Sequence, residues 1–249
     1  MKILFLDIET SPNIVHVWGL FNQNVGLNQI VDSGQTICWA ARWAGEKKVM
    51  YSGHDTNTHK AMLKKIHALL TEADAVVTYN GNRFDLPTLN KEFIKAGMKP
   101  PAPYKKIDLL TVARGQFRFT SNKLDYVAQF LGLGSKEKHK GHDLWVGCMN
   151  GDAKSWKTMQ KYNKQDVVLL EKVYDVMLPW IPRHANWSVF SGELCCPNCG
   201  SQHYQHRGDR YYKTLMGVYN RYQCNKCGTW FKDNKNQVRG TLKAVQVSS

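Results

Sequence analysis

Two acidic side chains near the start of the chain, Asp7 and Glu9, could bind a metal ion. They belong to the run KILFLDIET, in which residues 2–8 predict a buried strand. Because side chains alternate across a strand, both carboxylates point to the same face of the sheet. Buried carboxylates on one face repel each other and lose hydration, so a cation must offset them. Oxygen ligands favour Mg²⁺ or Mn²⁺, and the alternative is an exposed strand end with solvated acids.

Further along the chain, Asp85, Tyr162 and Asp166 could join such a site. Asp85 lies in the segment YNGNRFDLP (79–87), which follows an apolar strand and opens a helix, so it could also be a helix N-cap. Tyr162 and Asp166 are spaced i and i+4 on the helix predicted over residues 156–177 and share one face. An acid beside the apolar stripe of that helix could equally be structural.

In this order, the motifs DxE, FD and YxxxD resemble the DEDD superfamily of ribonuclease H-like exonucleases, over roughly residues 1–178. The YxxxD motif resembles that of the tyrosine branch, DEDDy, and residues 79–89 are similar to the second exonuclease motif of family B DNA polymerases. The resemblance implies a metal-dependent 3′→5′ exonuclease that hydrolyses phosphodiester bonds of single-stranded or frayed nucleic acid, with DNA favoured over RNA.

The resemblance also implies roles for individual residues. Four carboxylates would hold two Mg²⁺ or Mn²⁺ ions about 3.5–4 Å apart, one activating the attacking water and one stabilising the leaving 3′ oxygen. They are Asp7, Glu9, Asp85 and Asp166. Tyr162 would orient the water, because an ordinary pKa near 10 makes it a poor base at neutral pH. Asn80 and Phe84, in the second motif, are candidate nucleic-acid contacts.

The elements that must position these residues follow from hydrophobic periodicity. Strand patterns alternate with helical patterns, which predicts an α/β fold: a ribonuclease H-like mixed β-sheet flanked by helices over residues 1–183. The expected strands are 2–8, 13–20, 36–43, 47–52 and 75–79. The expected helices are 58–70, 86–96, 124–131 and 156–177. A linker is expected over residues 184–194.

A second chemical pattern is a pair of CxxC turns separated by residues 200–223. Four thiolates at about 2.3 Å complete a tetrahedral structural zinc site. The expected ligands are Cys196, Cys199, Cys224 and Cys227. Cys195 is an alternative to Cys196, which the CPxCG pattern favours. The pattern predicts one Zn²⁺ in a small zinc ribbon over residues 195–233, followed by a disordered tail over residues 234–249.

The chain is strongly basic, with 34 Lys and Arg against 20 Asp and Glu and a net charge of +14. Residues 186–249 contribute 9 basic and 3 acidic side chains. Phosphate backbones are the usual partner of such a surplus, and solubility is the alternative. Basic residues interleave with aromatic ones in the ribbon, which suits a nucleic-acid strand, although some rings must form its core. The candidate contacts are Arg207, Arg210, Tyr222 and Trp230.

Composition excludes several classes of protein. A chain that is 43% hydrophobic and 22% charged is neither disordered nor collagen-like. No stretch approaches the ~18–20 apolar residues of a membrane span, and the apolar run in MKILFLDIET is too short for a signal peptide. We therefore expect an intracellular, cytoplasmic protein without a membrane partner, with the nucleoid or a phage-infected cell as alternatives.

Several alternatives stay open at this point. A structure-selective endonuclease could use the same scaffold, and a non-catalytic nucleic-acid-binding adaptor needs no metal at all. The expected partner is DNA or RNA with a free 3′ end, and a replication or repair protein is a further candidate. Lys136 lies in a basic loop that could contact phosphate or remain solvated, and Trp145 is assigned to the core.

Overall fold

The computed structural model describes residues 1–137, 141–208, 211–214 and 217–237. They form two compact units that divide the chain between Asp175 and Val176. This division lies inside a helix, ahead of the linker expected at 184–194. Within the second unit, Asn198 donates a hydrogen bond from Nδ2 to the carbonyl of Leu178 at 2.7 Å.

The first unit is built on a five-stranded mixed sheet. Its strands, with a separate two-stranded pair, are β1 (Ile3–Thr10), β2 (Ile14–Val15), β3 (Ile30–Asp32), β4 (Thr36–Trp43), β5 (Met50–Gly53), β6 (Ala75–Thr78) and β7 (Lys105–Asp108). The order in the large sheet is β5-β4-β1-β6-β7. Strands β4 and β5 run antiparallel to their neighbours, whereas β1, β6 and β7 are parallel. The sheet places β1 at its centre.

Helices cover both faces of this sheet. They are α1 (His59–Glu72), α2 (Asp85–Lys95), α3 (Leu109–Gln116), α4 (Leu124–Phe130), α5 (His142–Met149) and α6 (Ala153–Met177). Thr58 begins α1 as its N-cap, accepting from the amide of Ala61 at 3.3 Å, and Asp108 begins α3 in the same way. Helix α6 is continuous over 25 residues. The predicted mixed α/β architecture is therefore confirmed.

The two faces of β1 have different partners. Leu4, Leu6 and Ile8 belong to a core cluster with buried side chains of α1 and α2. The alternate residues point the other way, where the ring of Phe5 contacts that of Tyr174 on α6, with ring centroids 5.2 Å apart. Asp7 and Glu9 share this second face because the side-chain period of a strand is two. The fold thus sets both carboxylates under α6.

The segment expected as a strand over residues 13–20 differs from that prediction. Only Ile14–Val15 is extended and paired, and its partner is the short β3. Strand β1 already has β4 on one side and β6 on the other, so the large sheet offers this segment no edge beside β1. Trp18 is 101% exposed as a result.

The second unit contains α7 (Trp187–Ser191) and a four-stranded sheet of β8 (Tyr204–His206), β9 (Tyr212–Thr214), β10 (Gly217–Cys224) and β11 (Trp230–Asn236). Strand β10 is central, with β11 on one side and β8 and β9 on the other. Strand β11 continues to Asn236, beyond the expected end of the ribbon at 233. Within the described residues, no helix combines the length and apolar character that crossing a membrane requires.

The core position of Leu6 yields the first prediction. Leu6→Ala should lower the free energy of unfolding of the first unit by about 2–5 kcal/mol, because it leaves a cavity in fully buried surroundings. The matched control is Leu20→Ala, which removes the same atoms from a side chain that is 90% exposed and should change stability by less than about 0.5 kcal/mol. Urea unfolding measures both, and equal effects would contradict the assigned burial.

Candidate active site

Three carboxylates meet where α6 crosses β1. One oxygen each from Asp7, Glu9 and Asp166 lies within 4.8 Å of the others. Asn163, also on α6, donates from Nδ2 to Asp7 Oδ2 at 2.6 Å and to the Asp7 carbonyl at 3.3 Å. This pair of bonds ties the helix to the strand and orients the Asp7 carboxylate. The two motifs DxE and YxxxD, more than 150 residues apart, therefore form one cluster.

Asp85 lies beside this cluster and outside the group of three. It is the first residue of α2, is 3% exposed, and accepts a hydrogen bond at Oδ1 from the amide of Ile8 at 3.1 Å. Strand β6 pairs with β1 only as far as Phe5, which leaves the Ile8 amide without a partner in β6. Asp85 fills that gap, and its negative charge acts on Asp7.

The cluster disfavours the ionised form of its own members. Burial, followed by the charges of Glu9, Asp85 and Asp166, raises the pKa of Asp7 well above its ordinary value. Burial and Asp166 raise the pKa of Glu9 to about 8. Burial also raises the pKa of Asp85 to about 7, against the effect of the Ile8 amide. Without a metal ion these acids hold protons that ordinary carboxyl groups release, although the charge of Lys136 opposes the rise in each pKa.

A cation is supplied by Lys136, on the loop that precedes α5. Its Nζ lies 2.5 Å from Asp166 Oδ2 and donates to the hydroxyl of Tyr162 at 3.2 Å. Burial lowers the pKa of Lys136, but the charge of Asp166 and the hydrogen bond to it, together with the effects of Tyr162 and Asp7, raise the pKa by more, so the side chain stays charged. From the sequence, the loop that contains this lysine could either contact phosphate or remain solvated. The contact with Asp166 could not be predicted, because it depends on how the loop folds against α6. Its neighbours 138–140 lie outside the described residues.

Tyr162 is 8% exposed and stands beside Asp166, to which it hydrogen-bonds. Burial and the charge of Asp166 raise its pKa above the ordinary value, so the phenol is neutral at physiological pH. Its ring meets that of Trp145 edge-on, with centroids 6.2 Å apart. The Trp145 side chain also hydrogen-bonds to Glu9. Sequence reasoning gave Trp145 to the core and did not predict α5, so its contact with Glu9 was missed.

A cleft of about 540 Å³ is lined by Asp7 and Lys136 together with Arg114 and Lys123. A second cleft of about 510 Å³ shares Arg114 with it and is also lined by Asn80. We call the two together the basic cleft. Phe84, at the N-terminus of α2, is 42% exposed. The candidate contacts Asn80 and Phe84 therefore belong to the same unit as the carboxylates, and both retain exposed surface.

The turn that carries Asn80 is shaped by Asp108. The two carboxylate oxygens of Asp108 accept from the amides of Asn80 at 2.8 Å and Asn82 at 3.1 Å. Asn80 has φ of +70°, which asparagine tolerates better than most residues. A Cβ at Gly81 would lie 2.2 Å from Oγ1 of Thr78, so this turn requires glycine. Asp108 is thus a structural acid of the site's rim.

The donor set suits a hard divalent cation. Oδ1 of Asp166 is buried and has no hydrogen-bond partner among the described residues, which is costly for a carboxylate oxygen. Oxygen ligands from Asp7 and Glu9 stand beside it. Carboxylate oxygens at this density match the preference of Mg²⁺ and Mn²⁺.

Four cysteines of the second unit form a separate group. Their Sγ atoms lie within 4.8 Å of one another, with Cys196–Cys227 and Cys199–Cys224 each at 3.6 Å. Tetrahedral zinc with Zn–S near 2.3 Å sets its sulfurs about 3.8 Å apart, so the spacing fits. The group contains Cys196, whereas the Sγ of Cys195 lies 3.6 Å from the hydroxyl of Ser191. This geometry favours Cys196 over Cys195 as the fourth candidate ligand.

The glycines after each CxxC explain the local geometry of these turns. Gly200 and Gly228 have φ of +72° and +80°, a region that glycine enters without steric cost. Their amides return to the carbonyls of Cys196 and Cys224 at 2.9 and 3.0 Å. Each turn therefore closes on itself and presents two sulfurs to one point. The cysteine cluster is compatible with the predicted zinc ribbon.

The residues expected to contact nucleic acid in the ribbon lie in different surroundings in the structure. Arg207 approaches the ring of Trp230, with Cζ 5.7 Å from the centroid. Tyr222 instead stacks on Phe231 at 5.4 Å. Arg210 lies outside the described residues.

Comparison with known proteins agrees with this architecture. The mixed sheet, with carboxylates between its central strand and a long helix, defines a ribonuclease H-like protein. The family model of the RNase_H superfamily matches residues 4–178, and the chain belongs to that superfamily. Membership supports a nuclease function. No curated protein matches the chain significantly.

Among solved structures, the chain is similar to the family B DNA polymerase from the hyperthermophilic archaeon Pyrobaculum calidifontis. The TM-score is 0.54 and the sequence identity 16%, over 72% of this chain. The match covers 24% of the polymerase chain, so this chain corresponds to a fraction of that protein. At this identity the likeness shows the fold alone.

The raised pKa values generate the second prediction. Because Glu9 has a pKa of about 8 when folded against an ordinary 4.5, the metal-free folded protein binds more protons than the unfolded chain between these values. Its free energy of unfolding should fall as pH rises through that window, by up to about 5 kcal/mol, since each pH unit between the two pKa values contributes about 1.4 kcal/mol. Asp7→Asn should flatten the decline, because it removes one repelling charge.

Denaturant unfolding in EDTA at pH 5, 6.5 and 8 measures the slope for each protein. The control is Asp32→Asn, which neutralises an exposed acid of β3 and should leave the slope unchanged. Any loss of metal from the cysteine cluster is common to all three proteins and cancels. Equal slopes for the wild type and Asp7→Asn would contradict the electrostatic account.

The cysteine geometry generates the third prediction. Cys199→Ser should abolish binding of one Zn²⁺ and unfold the second unit, since a small ribbon takes most of its folding free energy from the metal. Cys195→Ser is the matched control and should retain zinc, because Cys195 contacts Ser191. Zinc per chain by mass spectrometry is the readout. Loss of zinc from Cys195→Ser together with retention in Cys196→Ser would reverse the assignment.

Proposed function

We propose that the protein is a 3′→5′ exonuclease that hydrolyses phosphodiester bonds of single-stranded or frayed nucleic acid, with DNA favoured. The observation that carries the proposal is the cluster of Asp7, Glu9 and Asp166, with Tyr162 one turn away on the same helix. These residues are the ones that the DEDDy resemblance requires. A binding protein gains nothing from carboxylates at the place where phosphates would lie.

The carboxylate group is the proposed metal site. Asp7, Glu9 and Asp166 would supply its oxygens, with Asp85 as the fourth acid next to them. Two Mg²⁺ or Mn²⁺ ions bound there would lower the pKa of a water molecule and stabilise the leaving oxygen. The same positive charge would favour the ionised carboxylates, whose pKa values are raised in its absence.

The chain's own residues would orient the reacting groups. Tyr162 is neutral, so its hydroxyl can hold a water molecule by hydrogen bonding rather than remove a proton. Asn163 fixes the Asp7 carboxylate, and Trp145 holds that of Glu9. Lys136, already in contact with Asp166, offers a positive charge next to the scissile phosphate. Preorganised groups of this kind need no rearrangement during the reaction.

The basic cleft is the proposed path of the substrate. Arg114 and Lys123 line it together with Asp7 and can contact phosphates. Phe84, exposed directly before Asp85, can stack on an unpaired base, and Asn80 lies on the shared rim. A terminal base must be unpaired to reach such a ring, which accounts for the preference for a single strand or a frayed end.

The fourth prediction tests polarity and chemistry together. The wild type should shorten single strands from a free 3′ end with Mg²⁺ or Mn²⁺, and a 3′ block should stop it. Asp7→Ala should lower the rate by more than about 10³-fold, because it removes a metal ligand. Tyr162→Phe should lower kcat by about 10²-fold with little change in KM, since the hydroxyl acts on the reacting water.

The control variant is Asp143→Ala, which removes an exposed acid of α5 and should keep full activity. DNA and RNA substrates, each 3′-blocked, 5′-blocked or circular, complete the assay. Cleavage of a circle would replace the proposal with a structure-selective endonuclease. Binding without metal-dependent cleavage would leave a non-catalytic adaptor. Shortening from a 5′ end would overturn the polarity.

A further inference from the structure

One face of the ribbon sheet carries three cations in a row. Arg221 on β10 is paired with Lys232 on β11. On the other side of β10, the amide of Arg207 donates to the carbonyl of Arg221 at 2.8 Å, one residue beyond the His206–Tyr222 pair. Paired residues of adjacent strands share a face, so the three side chains stand side by side. We call this surface the basic face.

Aromatic and amide side chains complete the basic face. Trp230 is paired with Gln223, whose side chain accepts from Arg207 Nη2 at 2.8 Å. The guanidinium of Arg221 lies 4.8 Å from the centre of the Trp230 ring, and Lys232 Nζ lies 3.6 Å from that of Tyr219. These contacts hold the cations against rings. Trp230 nevertheless remains 51% exposed.

The opposite face of the ribbon sheet carries a cluster of aromatic rings. The ring of Tyr204 meets those of Tyr222 and Phe231 at 5.3 and 5.6 Å. Asp233 also points to this side, where it accepts from Asn220 Nδ2 at 2.9 Å. Among the described residues, the basic face therefore has no acid within its row. The ring cluster and the cations thus lie on opposite faces of the ribbon sheet.

The basic face is poorly explained by stability. Like charges directly opposite each other in a sheet are destabilising, and here three cations adjoin. The Nε atoms of Arg207 and Arg221 are buried without a hydrogen-bond acceptor among the described residues, which adds a desolvation penalty. Cation–π contacts offset this only in part. A row of this kind gains most from an anionic partner that lies along it.

We propose that the basic face binds a single strand of nucleic acid, with Arg207, Arg221 and Lys232 on its phosphates and Trp230 stacked on a base. Basic side chains interleaved with an exposed ring are how proteins bind single strands without reading sequence. A duplex covers both faces of nearly every base, so it could use the cations but not the indole. This site needs none of the carboxylates and goes beyond the proposed nuclease centre.

Fluorescence anisotropy of the full zinc-bound chain with a 3′-blocked, labelled oligothymidylate tests the proposal. Experiments use Asp7→Ala as a common background, so that no strand is degraded. Trp230→Ala should raise Kd by about 5- to 100-fold with an unchanged salt dependence, because stacking releases no counterions. Arg221→Gln should raise Kd and reduce the slope of log K against log salt by about 0.7, the value for one phosphate contact in a single strand.

The charge control is Lys226→Gln, which removes an exposed cation of the second cysteine turn, away from the row. It should leave Kd nearly unchanged, and an equal loss would reduce the effect to overall charge and overturn the proposal. Retention of one zinc per chain shows that each variant is folded. Trp230→Phe keeps a ring and should bind better than Trp230→Ala. Unchanged binding in both Trp230 variants, or tighter binding of duplex than of single strand, would also overturn it.

Discussion

The first unit depends on one electrostatic conflict, the repulsion among carboxylates that the fold forces together. Asp7, Glu9 and Asp166 share a space in which water is largely replaced by protein, and each raises the cost of ionising the others. Two neighbouring side chains partly offset the cost of ionising these carboxylates. Lys136 supplies a positive charge, and Asn163 supplies a hydrogen-bond donor. The site is thus built to hold more cationic charge than one lysine brings.

The architecture of the first unit follows from keeping that cluster in place. Strand β1 lies at the centre of the sheet, and its apolar side chains are buried against α1 and α2. Because one face is fixed by this core, the other must carry the acids toward α6. The contact of Phe5 with Tyr174 then anchors α6 over the strand. Packing on one side of the sheet therefore determines chemistry on the other.

The second unit is organised by different means. Its core is a small ring cluster around Tyr222, which is little apolar surface for a four-stranded sheet, and four cysteines converge at one end. A closed tetrahedral site would supply the missing stability. The ring cluster lies on one face of the sheet, and the other face carries the exposed Trp230 with the guanidinium of Arg221 against its ring.

Features that depend on local backbone geometry could be predicted from the order of the amino acids. The period of a strand placed Asp7 with Glu9, the helical repeat placed Tyr162 with Asp166, and the CxxCG turns identified the cysteine group. Which distant groups meet could not be predicted in this way, because it depends on how the chain folds back on itself. Lys136 reaches Asp166 from a loop, and Trp145 reaches Glu9 from α5, a helix that hydrophobic periodicity did not predict. Asp85 lies beside the three clustered carboxylates and accepts from the Ile8 amide. The tertiary structure also separated Trp230 from Tyr222, because one residue of strand register exchanges the core face for the exposed one.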